Sequence, residues 1–266
     1  MKAHKRLGQN WLVDRSYAQR IVAAVGATAS DLVVEIGPGP GALTDLLARD
    51  AGHVLAIELD PRMREPLEER HGRERLTMLQ ADVLELDLTA VVTNALAAHP
   101  GLSSVHVAAN LPYYISSPVV AHILRHRRAF RDAVLMLQRE VVDRLTASPG
   151  GKDYGALTVL VAMYARAAKL FDVPPGAFRP APKVTSSVVR LEMLERPAVD
   201  VPDEAAFFGI VRSAFAQRRK TLENNLAAAG RAGLAAAAGL DPRRRAETLT
   251  LTEFAALARA SAPSHS

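Results

Sequence analysis

DLVVEIGPGPGALTDLLARDAGHVLAIELDP, residues 31–61, is the stretch that decides the fold. Its ends, "DLVVEI" (31–36) and "HVLAIEL" (53–59), are short apolar runs rich in β-branched residues, as buried strands require. Between them "GALTDLLARDAG" sets leucines 43, 46 and 47 on one helical face, with Gly52 able to cap the end. Strand, helix and strand in so short a span predict a parallel crossover unit.

Working outward, "LTMLQAD" (76–82), "SVHVAAN" (104–110) and Ala133 to Gln138 continue the pattern, with helical segments between them. "SSVVRLEML" (186–194) reads as a late strand, antiparallel at the far end of the sheet. The expected class is α/β, a doubly wound parallel sheet with helices on both faces. Composition changes at "ERPAVDVPD" (195–203), a proline-containing connector, after which the chain is alanine-rich and helical. "FFGIVRSAFAQ" (207–217) has amphipathic spacing, and "TLTE" (250–253) fits a capping box opening a last helix. These signals divide the chain into a domain of residues 1–194 and a small helical domain of residues 195–266.

A chain of 266 residues, 49% hydrophobic, can build a sizeable core. The absence of cysteine excludes a disulfide scaffold, thiolate-bound zinc and thiol catalysis. The first residues, "MKAHKRLGQNWLVDRS", hold no apolar signal core, and no apolar run approaches membrane-spanning length, so a cytoplasmic location is expected. The net charge of +5 is modest, but basic residues cluster at Lys2, Lys5 and Arg6, at "RHRRAFR" (125–131), at "QRRK" (217–220) and at "PRRR" (242–245). A solvated face explains any one cluster; the four together favour a nucleic-acid partner.

In an open parallel sheet, ligands bind beyond the carboxyl ends of the strands. The first end is "EIGPGPGALT", whose Gly37, Gly39 and Gly41 leave no Cβ where a ligand meets the backbone before a helix N-terminus near Ala42. The spacing departs from the dinucleotide fingerprint, and a plain tight turn remains open. The second strand ends at Glu58, suited to ribose hydroxyls, and the third at Asp82, suited to an exocyclic amine; helix capping competes at both ends, through Asp60 and through Asp82 itself. No Walker lysine follows the glycines, and no histidines and acids cluster at metal-ligand spacing, so no metal is expected. An adenosyl ligand without a pyrophosphate points to S-adenosylmethionine.

The fourth strand ends in "NLPYYISSP" (110–118). An exocyclic adenine amine is a poor nucleophile because its lone pair is delocalised into the ring. The Asn110 side-chain oxygen and a nearby backbone carbonyl, most simply that of Leu111, can accept its two hydrogens and favour the pyramidal form. Pro112 restricts Leu111 to extended geometry, and Tyr113 can stack on an extruded base.

With these residues in place, the sequence closely resembles the ribosomal RNA small-subunit adenine N6-dimethyltransferases of the KsgA type. The resemblance runs through "KRLGQNWLVD", "EIGPGPGALT", "ELDP", "QADVLELDL", "NLPYYISSPVV", "LMLQREVVDRLTASPGGKDYGALTVLV", "VPPGAFRPAPKVTSSVVRL" and "FAQRRKTLENNL", nearly the whole chain. It implies a Rossmann-like class I methyltransferase sheet with a small all-helical C-terminal domain, and transfer of two methyl groups to each of two adjacent adenosines near the 3′ end of small-subunit (16S) rRNA, late in assembly of the pre-30S particle. It implies that Asn10 and Leu12 join Gly37, Glu58, Asp82 and Asn110 in contacting S-adenosylmethionine, and that Asn110, Leu111, Pro112 and Tyr113 form the catalytic motif. Phe178 and Lys183 fall in a loop the family sets beside the target base, although Phe178 as a core plug is an equal reading of the sequence. Arg218, Arg219 and Lys220 are candidate RNA contacts, and a monomer is expected. One departure is Tyr114, where the bacterial pattern has asparagine. Two other readings stay open: a resistance-type methylase acting on one large-subunit rRNA adenine, and an assembly factor without catalysis.

Overall fold

The computed structural model describes residues 9–262; Lys2, His4, Lys5 and Arg6 lie outside them. In chain order the elements are β1 (Trp11–Leu12), α1 (Arg15–Val25), β2 (Asp31–Ile36), α2 (Thr44–Asp50), β3 (His53–Glu58), α3 (Arg64–His71), β4 (Leu76–Gln80), α4 (Leu88–Ala98), β5 (Ser104–Asn110), α5 (Ser116–Arg125), β6 (Asp132–Gln138), α6 (Arg139–Leu145), α7 (Ala156–Tyr164), β7 (Ala165–Val173), β8 (Phe178–Arg179) and β9 (Ser186–Met193). Four further helices follow: α8 (Glu204–Ala214), α9 (Leu222–Ala228), α10 (Leu234–Ala237) and α11 (Leu251–Ser261). Among the described residues no helix is long and apolar enough to cross a membrane.

Seven strands form one sheet in the order β4-β3-β2-β5-β6-β9-β7. β4 through β6 are parallel and β9 runs antiparallel to β6, pairing Ser186 with Gln138 and Glu192 with Asp132. Order reverses between β2 and β5, which makes the carboxyl ends of these strands the crevice of the sheet. Every residue of β2 and β3 is buried, because helices cover both faces; this is why the strands read as continuous apolar runs rather than alternating ones. Residues such as Ile21, Val33, Leu47, Leu67 and Met136 build one core face, each fully buried large side chain contributing about 1.5–3 kcal/mol.

Two elements differ from the expectation. β7 is an additional edge strand that leaves β9 one place in from the far end expected for it; it went unread in the sequence because edge exposure lets Arg166, Lys169 and Asp172 interrupt any apolar pattern. The helix after the glycine loop starts at Thr44 rather than near Ala42, since the loop first turns back on itself through Gly41 N–H to the Pro38 carbonyl (3.0 Å).

The chain forms two compact units, Met1–Val142 with Arg166–Met193, and Asp143–Ala165 with Leu194–Ser266. The second unit thus includes residues 143–165, which lie within the first domain of the linear reading. Within it α7 packs on α8 and α11, and the 194–198 connector bonds back to α7 through Leu194 N–H to the Tyr164 carbonyl (2.9 Å) and Ala198 N–H to the Met163 carbonyl (2.9 Å). Thr250 and Glu253 form a capping box at the start of α11, and Phe207, Phe254 and Leu226 are fully buried.

Candidate active site

A pocket opens at the carboxyl ends of β2, β3, β4 and β5, lined by Gly37, Glu58, Asp82, the Asn110–Ile115 segment, residues 9–12 and Phe178. Seven of the expected site residues therefore come together with Leu111, Pro112 and Tyr113. Among the described residues the lining carries three acids, Glu35, Glu58 and Asp82, and no lysine, arginine or histidine. Such a lining offers no positive charge to a pyrophosphate, and the Glu58 and Asp82 carboxyl groups favour a cationic ligand.

The glycine loop is held by the neighbouring strand. Gly37, at φ +70°, donates its N–H to the Ile57 carbonyl at 2.9 Å, and a Cβ at this position would meet nothing within 4 Å, leaving open space toward the pocket. Glu58 Oε2 accepts from Gly39 N–H at 3.1 Å and Oε1 from Asp60 N–H at 2.8 Å. Each oxygen keeps a second lone pair for a ligand hydroxyl. Burial raises the Glu58 carboxyl above its ordinary range, the two backbone donors opposing the rise.

Residues 9–12 cross the pocket as a strap fixed at three points. Gln9 Nε2 donates to Asp60 Oδ2 (3.3 Å), the Asn10 carbonyl accepts from Asn110 Nδ2 (3.3 Å), and Trp11–Leu12 pair antiparallel with Phe178–Arg179. Asp60 in turn holds Arg62, which with its other donors keeps the Asp60 carboxyl down at about 2.

The bond to Asn10 fixes which end of the Asn110 amide donates, so Oδ1 is its acceptor for an incoming N–H. Leu111 gives its N–H to the Met136 carbonyl (3.2 Å), while its own carbonyl accepts no hydrogen bond among the described residues. The Pro112 carbonyl is used by the turn that follows, accepting from Ile115 N–H and the Ser116 hydroxyl. Two acceptors, one amide and one carbonyl, are thus left at the end of β5. Tyr113 is half-buried, its hydroxyl bonded to Ser186 Oγ at 2.8 Å, and burial raises its phenol. Tyr114 lines the same mouth with 60% of its surface exposed.

Among the lining residues that the sequence reading did not single out, Glu35 and Trp11 carry buried polar atoms without a partner among the described residues. Glu35, 1% exposed, has an Oε2 without a hydrogen-bond partner among the described residues, and burial pushes its carboxyl up to about 8, the Glu58 and Asp45 carboxylates adding to the rise. Its signal was available: a glutamate inside a buried strand, after the apolar run Leu32–Val34. Trp11, whose Nε1 is buried and unpaired among the described residues, has its ring 3.5 Å from the position a Gly39 Cβ would take. Buried unpaired donors and acceptors beside an open glycine cradle fit S-adenosylmethionine, whose sulfonium and ammonium suit an acidic lining.

Other expected residues differ in placement. Asp82 lines the pocket but also caps the following turn, accepting from Leu84 N–H at 2.9 Å. Phe178 is 1% exposed and belongs to the core, touching the pocket as part of its wall. Lys183 is exposed and outside the pocket lining. Arg218 donates to the Lys152 carbonyl, and Arg219 and Lys220 are exposed, all in the second unit. The "PRRR" cluster is largely engaged internally: Arg243 pairs with Asp241, and Arg244 binds Glu253 bidentately. No group of three or more potential metal ligands occurs among the described residues.

Likeness to known proteins agrees with this geometry. The family described as ribosomal RNA adenine dimethylase matches residues 1–262. Ribosomal RNA small subunit methyltransferase A of Magnetococcus marinus is 48% identical, covering 99% of this chain and 93% of the relative. The protein of the same description from Moorella thermoacetica is 45% identical, over 96% and 91%. Among solved structures, a dimethyladenosine transferase from Plasmodium falciparum superposes with a TM-score of 0.76 at 25% identity, over 92% and 95% of the two chains. The 23S rRNA methyltransferase ErmE gives 0.68 at 25% identity, over 94% and 99%.

Proposed function

The chain belongs to the ribosomal RNA adenine dimethylase family, and we propose that it transfers methyl groups from S-adenosylmethionine to N6 of two adjacent adenosines near the 3′ end of small-subunit rRNA. One observation carries this reading: at the end of β5 the Asn110 amide is oriented by Asn10, and the Leu111 carbonyl is unpaired among the described residues. Two acceptors at that place suit an exocyclic amine, which presents two hydrogens.

Gly37, Glu58 and Asp82 would hold the adenosyl group, and residues 9–12 line the same pocket. S-adenosylmethionine, when bound, supplies an electrophilic methyl group. Asn110 Oδ1 and Leu111 O accept hydrogen bonds from the two amine hydrogens and favour the pyramidal amine; as the N–C bond forms the donor's S–C bond breaks to leave the neutral thioether, and the methylated nitrogen, now an acidic ammonium, loses one proton to solvent. Tyr113 offers its ring face to the target base, and the strap keeps water from the reacting atoms. The acidic lining suits a sulfonium, whose positive charge cannot be discharged by losing a proton in a dry site.

The substrate form is the rRNA within a pre-30S particle, and the protein acts as a cytoplasmic monomer. Arg218, Arg219 and Lys220 supply phosphate contacts. The 48% identity to a small-subunit enzyme over nearly the whole chain, against 25% for ErmE, supports the small subunit over the large. The test is incubation with radiolabelled S-adenosylmethionine and under-methylated small subunits, large subunits in parallel, then mapping of N6-dimethyladenosine. Label on adjacent small-subunit adenosines is expected. Label on the large subunit, or none despite cofactor binding, overturns the reading.

A further inference from the structure

Ser186 opens β9, the antiparallel strand beyond β6. Because β9 runs against its neighbours, its first residue, not its last, reaches the edge where the parallel strands end. Pairing with Gln138 puts Ser186 beside the carboxyl end of β6, and its hydroxyl meets the Tyr113 hydroxyl at 2.8 Å across 73 residues of sequence. Ser186 is 1% exposed. Ser187 points to the other face of the strand and bonds Asp172 instead, at 2.5 Å.

We infer that Ser186 is a positioning residue for methyl transfer, acting through Tyr113: it fixes the direction of the tyrosine ring and so the plane in which the target base is held. The inference rests on the reading of Tyr113 as the ring that faces that base. A tyrosine on a short 3-10 turn (Tyr113–Ile115) has little backbone to define its ring. Tyr113 is only half-buried and lines the pocket, so packing does not enclose its ring. An anchor at the far end of the side chain removes the remaining freedom. With the hydroxyl engaged by Ser186, the ring meets the base through its face. A phenylalanine at 113 opposite an alanine at 186 would leave no unpaired hydroxyl, so the fold itself does not call for the pair; the pair gives direction.

The experiment is a double-mutant cycle of Ser186→Ala and Tyr113→Phe, with Ser187→Ala as the control for disturbance of β9. Transfer to under-methylated small subunits, the cofactor dissociation constant and the urea midpoint are measured for each variant. Ser186→Ala is expected to lower kcat about fivefold, the scale of one hydrogen bond, with cofactor affinity unchanged and with Ser187→Ala at the wild-type rate. Tyr113→Phe should show the same loss and the double variant no greater one; the urea midpoints should show matching coupling between the two sites. Wild-type kcat in Ser186→Ala, losses that multiply in the double variant, or an equal loss in Ser187→Ala overturns the inference. Tyr113→Ala separates the two levels. If it transfers at the wild-type rate, the stacking role of Tyr113 is wrong and this inference falls with it; if it is impaired while Ser186→Ala is normal, only the positioning role is refuted.

Discussion

Glu58 and Gly39 are joined by a buried hydrogen bond of 3.1 Å, the carboxylate that ends one strand accepting the backbone N–H of the glycine loop that leaves the next. The same carboxylate accepts from Asp60 N–H, so it fixes the loop and the end of β3 together. Glu58→Ala is expected to weaken S-adenosylmethionine binding at least about tenfold, since a charged acceptor is lost and buried donors are left unpaired. Titration calorimetry checks this. Affinity within twofold of wild type would remove Glu58 from the cofactor site.

Asn110→Ala should lower the transfer rate about 10²–10³-fold, the usual cost of losing one well-placed polar group at a reacting centre. The variant also removes the bond from Asn110 to the Asn10 carbonyl, one of the points that hold the 9–12 segment, so some loss of cofactor affinity accompanies it. Single-turnover kinetics at saturating cofactor separates the two effects. A full rate under those conditions would assign Asn110 to binding alone.

Trp11 is the single tryptophan of the chain and lines the pocket with its Nε1 buried and unpaired among the described residues. Its emission should therefore shift when S-adenosylmethionine binds, without any introduced label. A fluorescence titration of the wild-type protein gives the answer, and the midpoint should move in Glu58→Ala as the calorimetric constant does. An unchanged spectrum at saturation would place the ligand away from the strap.

Glu35 should make stability fall with rising pH. The unfolded carboxyl ionises near 4.5 and the folded one near 8, so the folded state keeps a proton that the unfolded state has lost. This contribution is fully present below about pH 4.5 and is lost as pH rises through about 8, at a limiting slope of about 1.4 kcal/mol per pH unit. Glu35→Gln removes that slope. Urea denaturation of both proteins at pH 5, 6, 7 and 8 should show the variant gaining on the wild type at each step; parallel curves would contradict the raised value.

Two basic clusters should respond differently to mutation. Reversing Arg218, Arg219 and Lys220 to glutamate should weaken rRNA binding and flatten its salt dependence by about 0.7–0.9 in log–log slope for each phosphate no longer neutralised, with cofactor affinity unchanged. Arg244→Ala should instead lower stability by about 1–2 kcal/mol, because Arg244 holds Glu253, whose carboxyl its hydrogen bonds keep down at about 2. Filter binding and thermal melts distinguish the two classes.

Much of the fold and site was legible along the chain, for a reason that particular residues show. β2 and β3 are buried on both faces, so their sequences carry mainly apolar runs, and a parallel sheet leaves most of its polar residues at the strand ends. Gly37, Glu58, Asp82 and Asn110 each terminate or follow such a run, and all four line the pocket. Glu35 lay in the open as a buried acid, yet nothing in one strand tells whether such an acid meets a ligand or a partner.

The sequence by itself determined the succession of the buried strands β2 to β6 and β9, the strand-end residues and the capping box of α11, because these follow from periodicity and from interactions between near neighbours. Only the tertiary structure decided the rest. Asn10 orients Asn110 across 100 residues and Ser186 reaches Tyr113 across 73; residues 143–165 join the helical unit. Each depends on which distant segments the folded backbone sets side by side, and hydrogen bonds of about 3 Å carry no trace in local spacing.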